Sequence, residues 1–283
     1  MAVGCLEMVN AVASGVAYSH DPVNLMQETQ VINGVWGLGR YAVDGLVNPD
    51  LWVFTREERP ELIRRRASVK DRKLTIDTDG ELVDQTVPEP LQRQYCLSEQ
   101  EAQTLATLVM RLEKHYGDYQ DIEWAKTRDG RLIFLQSRPL DSRSGSTNAP
   151  KPPLLENRPL LLEGGDIAYP GVGYGPVVMP KTPEELNQFP EGGVLVAAHS
   201  NAEYVTILDR AQAVLTQTGG ITGHMATICR EFRVPTLLNL PGLMQKLRPG
   251  MEVTVDAFSC RVYEGKAEEL LPLRLSIDPV RLQ

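Results

Sequence analysis

The sequence lacks the features of a membrane, secreted or nucleic-acid-binding protein. No uninterrupted apolar run approaches the ~18–20 residues that cross a bilayer. The N-terminal MAVGCLEMVN has no basic segment and carries Glu7 inside its apolar stretch, so it does not read as a signal peptide. Cysteine is scarce: Cys5, Cys96, Cys229 and Cys260 lie far apart with no C-x-x-C pair. That argues against a zinc site or a disulfide framework and points to a reducing cytoplasm. Basic charge is in deficit, with 29 Lys+Arg against 37 Asp+Glu and a net charge of −8. Such a balance argues against a chain built to neutralise nucleic-acid phosphates. What is present is ordinary globular material, 42% hydrophobic and 23% charged over 283 residues, enough for two packed domains.

One composition shift divides the chain. From Asp141 to Pro159 it runs DSRSGSTNAPKPPLLENRP, dense in Ser, Pro and Asn, which reads as a linker stiffened by Pro150, Pro152 and Pro153. The expected organisation is a first domain over 1–141, a linker over 142–160 and a second domain over 161–283. No internal repeat appears. In the first domain Val12–Tyr18 and Leu51–Thr55 read as strands. A helix is predicted over Ser98–Tyr116: Ser98 and Glu101 form a capping box, Ala102, Leu105, Ala106, Val109 and Leu112 recur at helical spacing, and Gly117 closes it. In the second domain Gly193–Ala198, Ala213–Thr216, Pro235–Leu238 and Met251–Asp256 read as strands, and Met225–Phe232 as a short helix. The class is α/β or α+β in both halves.

DIEWAKTRDGRLIFLQSRPL contains two β-rich runs around Asp129-Gly130, a hairpin signal. If that dipeptide is a two-residue turn, Arg128 pairs with Arg131, Glu123 lies opposite Gln136, and Asp121 lies opposite Arg138. Residues two apart on a strand share a face, so all four project to one side, with Ile122, Trp124, Ile133 and Leu135 on the other. A bulge or an off-centre loop would break this pairing. A carboxylate beside an amide oxygen suits Mg²⁺, and a neighbouring Arg can clamp phosphate. A surface hairpin with one wet polar face alternates in the same way, so the pattern alone does not choose.

The segment AVLTQTGGITGHMATICREFRVPTL carries a β-rich run into a loop with Gly219, Gly220 and Gly223, and His224 falls where a helix begins. Glycines let backbone N–H groups approach a ligand, and a helix N-terminus presents unpaired donors and the positive dipole end to an anion. That setting makes the His224 imidazole a candidate nucleophile. Thr218 and Thr222 can add hydroxyl donors. A helix-capping His in a glycine turn would leave the same pattern.

At these two places the sequence resembles the phosphoenolpyruvate-utilising enzymes, the family of phosphoenolpyruvate synthase and pyruvate phosphate dikinase. The match is T-x-x-G-G-x-T-x-H-x-A followed by R-E-x-x-V-P. NAVASGVAYSHDPVN, GVWGLGRYAVDGLVNPD and DIEWAKTRDGRLIFLQSRPL resemble, in order, three segments of that family's ATP-grasp domain. The resemblance implies a partial ATP-grasp subdomain followed by a swivelling β/β/α phosphohistidine domain. It implies that His224 accepts a phosphoryl group from ATP and passes it to a second substrate, pyruvate being the expected acceptor. Glu123 and Gln136 match the Mg²⁺- (or Mn²⁺-) and ATP-contacting positions, and Arg138 the phosphate-contacting Arg. Leu6–Val9 resembles the hinge strand near adenine, where Glu7 and Val9 would touch the base through their backbone. Thr218, Gly219, Gly220 and Thr222 would shape the phosphohistidine loop.

The sequence departs from the family at Met225, where small residues are usual and which would either narrow the pocket or pack. It begins at the hinge, so the N-terminal part of the ATP-grasp domain is expected to be missing, and the acceptor is expected to bind a domain outside this chain. Alone, it is expected to bind ATP poorly and complete no turnover. The competing readings are a phosphotransferase with an antibiotic or phenolic acceptor and a non-catalytic nucleotide-binding regulator on the same scaffold. The remaining candidates read as structural. His115 sits near a helix C-terminus, and His20 and His199 have no ligand-like partners nearby in sequence. Arg64, Arg65, Arg66, Lys70, Arg72 and Lys73 read as a solvated face, with a nucleotide-facing role as the lesser alternative, Gly171, Gly173 and Gly175 as a strand bend, and Cys229 as no partner in a Cys/His pair.

Overall fold

A computed structural model describes residues 8–23, 27–140, 152 and 154–273. The described residues form two compact units, the first drawn from Met1–His20, Glu28–Ala42 and Pro49–Leu140, the second from Asp21–Gln27, Val43–Asn48 and Asp141–Gln283. Each has its own core, and the architecture is α+β.

The first unit is an antiparallel sheet of β1 (Ala13–Tyr18), β2 (Thr29–Trp36), β3 (Asp50–Thr55), β4 (Leu62–Arg66), β7 (Gln120–Lys126) and β8 (Leu132–Pro139), in the order β4-β3-β2-β1-β7-β8. A separate hairpin comprises β5 (Arg72–Ile76) and β6 (Leu82–Thr86). Helices α1 (Arg40–Val43) and α2 (Glu89–Gln92) are single turns. Helix α3 (Glu99–Tyr116) covers one face of the sheet, burying Leu105 and Val109 with Ile32, Trp52, Ile122 and Trp124. Its start and stop follow from local chemistry. The Ser98 hydroxyl accepts from the Glu101 N–H, Glu101 returns to the Ser98 N–H, and Gly117 takes the left-handed conformation at φ 75°.

The basic run is not one solvated face. Arg64 and Arg65 are exposed, but Lys70 is fully buried and donates to Asp50 Oδ1 at 2.5 Å and to the Ser68 carbonyl at 2.9 Å. Asp50 also accepts from the backbone of Ser68 and Cys96, tying three segments together. β2 and β4–β6 carry Gly, Gln or several charges, which is why hydropathy alternation does not reveal them.

The second unit is an eight-stranded mixed sheet in the order β10-β14-β13-β12-β11-β15-β16-β9. Its strands are β9 (Leu160–Glu163), β10 (Asp166–Tyr169), β11 (Val172–Val178), β12 (Val194–Ala197), β13 (Ala213–Thr216), β14 (Thr236–Leu238), β15 (Glu252–Asp256) and β16 (Arg261–Glu264). β11 to β14 run parallel, so their carboxyl ends form one edge. Helices α4 (Pro183–Asn187), α5 (His224–Glu231) and α6 (Leu243–Lys246) lie in the connections. Gly173 and Gly175 sit within β11 rather than at a bend; a Cβ at either would collide with the carbonyl oxygens of Gln212 and Gly192. Much of the expected linker lies outside the described residues, but Leu155 packs against the Val172–Tyr263 cluster and Leu160 already belongs to β9.

Candidate functional site

In the first unit the candidate residues lie on the β7–β8 hairpin. Glu123 faces Gln136 and Asp121 faces Arg138, as the sequence predicts, but by a different route. The turn is not two residues long. Thr127 pairs with Arg131 through their backbone, leaving Arg128, Asp129 and Gly130 as a three-residue loop with Gly130 at φ 82°. This shifts the register by one, and a bulge at Leu135 shifts it back between Trp124↔Phe134 and Glu123↔Gln136. The off-centre loop and the bulge, each disruptive alone, cancel. The assignment of the apolar face is corrected accordingly. Leu132 and Phe134, not Ile133 and Leu135, pack against the core, and Leu135 is 38% exposed.

Arg138 donates from Nε and Nη2 to one oxygen of Asp121, at 2.9 and 2.8 Å. Asp121 is buried, so it fixes the guanidinium from below. Its opposition to Arg138 was legible in the register, although its role as a brace was not. Glu123 is half-buried and accepts no hydrogen bond among the described residues. Burial, and then the neighbouring Asp121 charge, push its carboxyl above the ordinary carboxylate range, against the pull of Arg138. Gln136 is exposed beside it. No group of three or more His, Cys, Asp or Glu side chains suited to a metal occurs among the described residues. A half-buried carboxylate without a donor, next to an amide oxygen, nevertheless fits Mg²⁺, which binds through one or two carboxylates and completes its shell with water and phosphate. Glu7 lies outside the described residues. Val9 is half-buried and precedes β1 rather than lying in a strand. The next residue, Asn10, lines a cavity of about 260 Å³ together with Trp36, Lys73 and Arg128.

In the second unit β13 feeds the glycine loop and α5 begins at His224. Gly219 adopts φ +131°, a conformation that L side chains rarely take. Gly223 is the N-cap, and no side chain caps the helix. The first N–H groups of α5 are therefore left for solvent or a ligand. His224 is exposed on the outer face with Glu231, while Met225, Ala226, Ile228 and Cys229 are buried. Met225 packs in the core at 4% exposure rather than narrowing a pocket. Burial pushes the Cys229 thiol up to about 12, which removes it as a nucleophile at neutral pH.

Thr218 is a brace. The Thr218 hydroxyl lies 2.7 Å from the Gly45 carbonyl and 3.1 Å from that of Ala198, so it is committed to backbone acceptors. Gly219 donates its N–H to Asn48 Oδ1 at 2.8 Å. Gly220 accepts at its carbonyl from the Gly223 N–H, closing the turn before the helix, and Thr222 is buried. Arg230, the first residue of the R-E-x-x-V-P match but given no role there, is only 3% exposed; Nη1 donates to the Ile221 carbonyl at 2.9 Å and Nη2 to the Thr227 hydroxyl at 3.1 Å. A guanidinium inside a short helix with an otherwise apolar inner face was the available signal.

Two family matches cover these elements: pyruvate phosphate dikinase, AMP/ATP-binding domain, over residues 1–158, and PEP-utilising enzyme, mobile domain, over residues 189–260. The chain is 33% identical over 271 residues to a probable phosphoenolpyruvate synthase of Archaeoglobus fulgidus, covering 95% of this chain and 35% of that protein. It is 32% identical over 274 residues to phosphoenolpyruvate synthase of Pyrococcus furiosus, covering 94% and 33%. The Escherichia coli K12 phosphoenolpyruvate synthase is 30% identical over 266 residues, covering 90% and 34%. The chain thus spans about a third of the length of the curated relatives it matches. Fold and sequence together define an α+β protein joining a partial ATP-grasp-like nucleotide domain to a phosphoenolpyruvate-utilising domain. The chain belongs to the phosphoenolpyruvate-utilising dikinase family. Among the described residues no helix is long and apolar enough to cross a membrane.

Proposed function

We propose that this chain carries part of an ATP site and the phosphocarrier of a dikinase, with His224 as the carrier. The observation that carries the reading is an exposed imidazole on the first residue of α5, at the end of a braced glycine loop and beside helix N–H groups that no side chain caps. In the reaction an imidazole nitrogen attacks the β-phosphorus, forming a P–N bond as the P–O bond to the departing AMP breaks in line; water then cleaves the outer P–O bond of the diphosphoryl group, releasing the γ-phosphoryl as inorganic phosphate and leaving one phosphoryl group on the imidazole, so positioning and charge neutralisation govern the rate. Glu123 and Gln136 would hold Mg²⁺ (or Mn²⁺), which neutralises phosphate charge when bound. Arg138, oriented by Asp121, clamps a phosphate oxygen. Glu7 and Val9 meet the base through their backbone. Thr218, Gly219, Gly220 and Thr222 hold the loop that presents His224, and the N-terminus of α5 stabilises the phosphorylated imidazole. Pyruvate is the acceptor this reading favours, because the relatives are named phosphoenolpyruvate synthases; its binding residues belong to no site described above.

The test is phosphoryl labelling of the native-length protein with β- and γ-labelled ATP and Mg²⁺. An acid-labile, alkali-stable label from the β position that disappears in His224→Ala is the expected result. ATP binding without any label would overturn the assignment of His224.

A further inference from the structure

The second unit contains a cavity of about 390 Å³ that neither the hairpin nor the His224 loop uses. It opens at the carboxyl ends of β11 and β12, the edge where parallel sheets take ligands. Part of its lining is apolar: Leu186, Val196 and Ala197 are buried, and Met179 and Met244 also line it. Lys181 and His199 also line it, and neither the ammonium nor the imidazole has a partner among the described residues. Glu203 is the one carboxylate in the lining. Thioethers in a lining favour contact with an aromatic ring, and two unpartnered nitrogen donors favour an anionic head.

We propose that this cavity binds a small aromatic carboxylate, with its ring among Met179, Leu186 and Met244 and its carboxylate between Lys181 and His199. Residues that line the cavity are also hydrogen-bonded to the start of the loop that leads to His224. Gln217 and Thr218 donate their N–H groups to the carbonyls of Ala197 and Ala198, at 3.0 and 2.9 Å. The Met244 N–H donates to the Gln217 side-chain oxygen at 3.3 Å. Two walls of the cavity are therefore hydrogen-bonded to the first residues of the loop that leads to His224, so occupancy reaches the loop through backbone contacts. The proposal stands whether or not His224 carries phosphate.

The experiment is an NMR titration of native-length protein, labelled at its methionine methyls and backbone amides, with benzoate; neutral benzamide serves as the control. Saturable movement of the Met179 and Met244 methyls with benzoate but not benzamide is expected, together with movement of the Gln217 and Thr218 amides at the same midpoint. Replacing Lys181→Met and His199→Gln together should weaken binding by about tenfold or more. His199→Gln alone, at an exposed position, gives the same comparison if the double variant does not fold. Silent methyls, an equal response to benzamide, or undiminished affinity in a folded variant would overturn the site. Methyl movement with unmoved loop amides would overturn the coupling.

Discussion

Glu123 shows how a single side chain can be held at a cost to stability. Burial and the Asp121 charge raise its carboxyl above the ordinary range, so the folded state keeps that proton more tightly than the unfolded chain. The stabilisation from the bound proton is complete below the unfolded-state value and is lost as pH rises through the raised folded-state value. At neutral pH the charged group therefore works against folding. Glu123→Gln should raise the melting temperature of nucleotide-free protein at neutral pH by about 1–2 °C, an advantage that shrinks on acidification. Calorimetry at the two pH values checks this; a variant that melts lower at neutral pH would contradict the account. Under the proposed role of Glu123 as a Mg²⁺ ligand, adding Mg²⁺ and ATP to the native-length protein should reverse the order, because the variant would lack that charged ligand.

At the scale of elements, helix α3 was legible almost to the residue because its signals are local: a capping box, an apolar stripe and a terminal glycine. Ser98→Ala should cost about 1 kcal/mol, read as a lower denaturant midpoint at unchanged m-value. The loop before α5 was legible for the same reason, since glycine spacing and a following helix are local features. Strands β4–β6 were not, because their alternation is overwritten by charge: Arg64, Arg65 and Arg66 sit in β4, and Asp84 in β6. The braces were illegible for a different reason. Arg230 to Ile221, Asp50 to Lys70 and Gly219 to Asn48 join residues between 9 and 171 positions apart, and no local pattern marks such partners.

At the scale of the molecule, two units with separate apolar cores should melt as separable transitions. The buried Lys70–Asp50 pair belongs to the first unit alone. Lys70→Met leaves Asp50 buried without its cation, a loss of about 3–5 kcal/mol. Differential scanning calorimetry should show one transition moving down and the other holding. If both moved together, the two cores would not be independent.

The bulge at Leu135 makes the hairpin a matter of parity. Each ladder pair between Glu123 and Gln136 uses two residues, so a tip with an odd number of residues needs one unpaired residue elsewhere if the interval is to stay even. Here three tip residues and one bulged residue do that together. Tip length and bulge are thus a linked pair of traits. A relative that keeps this interval but turns in two residues should have a regular ladder, with no leucine standing out of its strand.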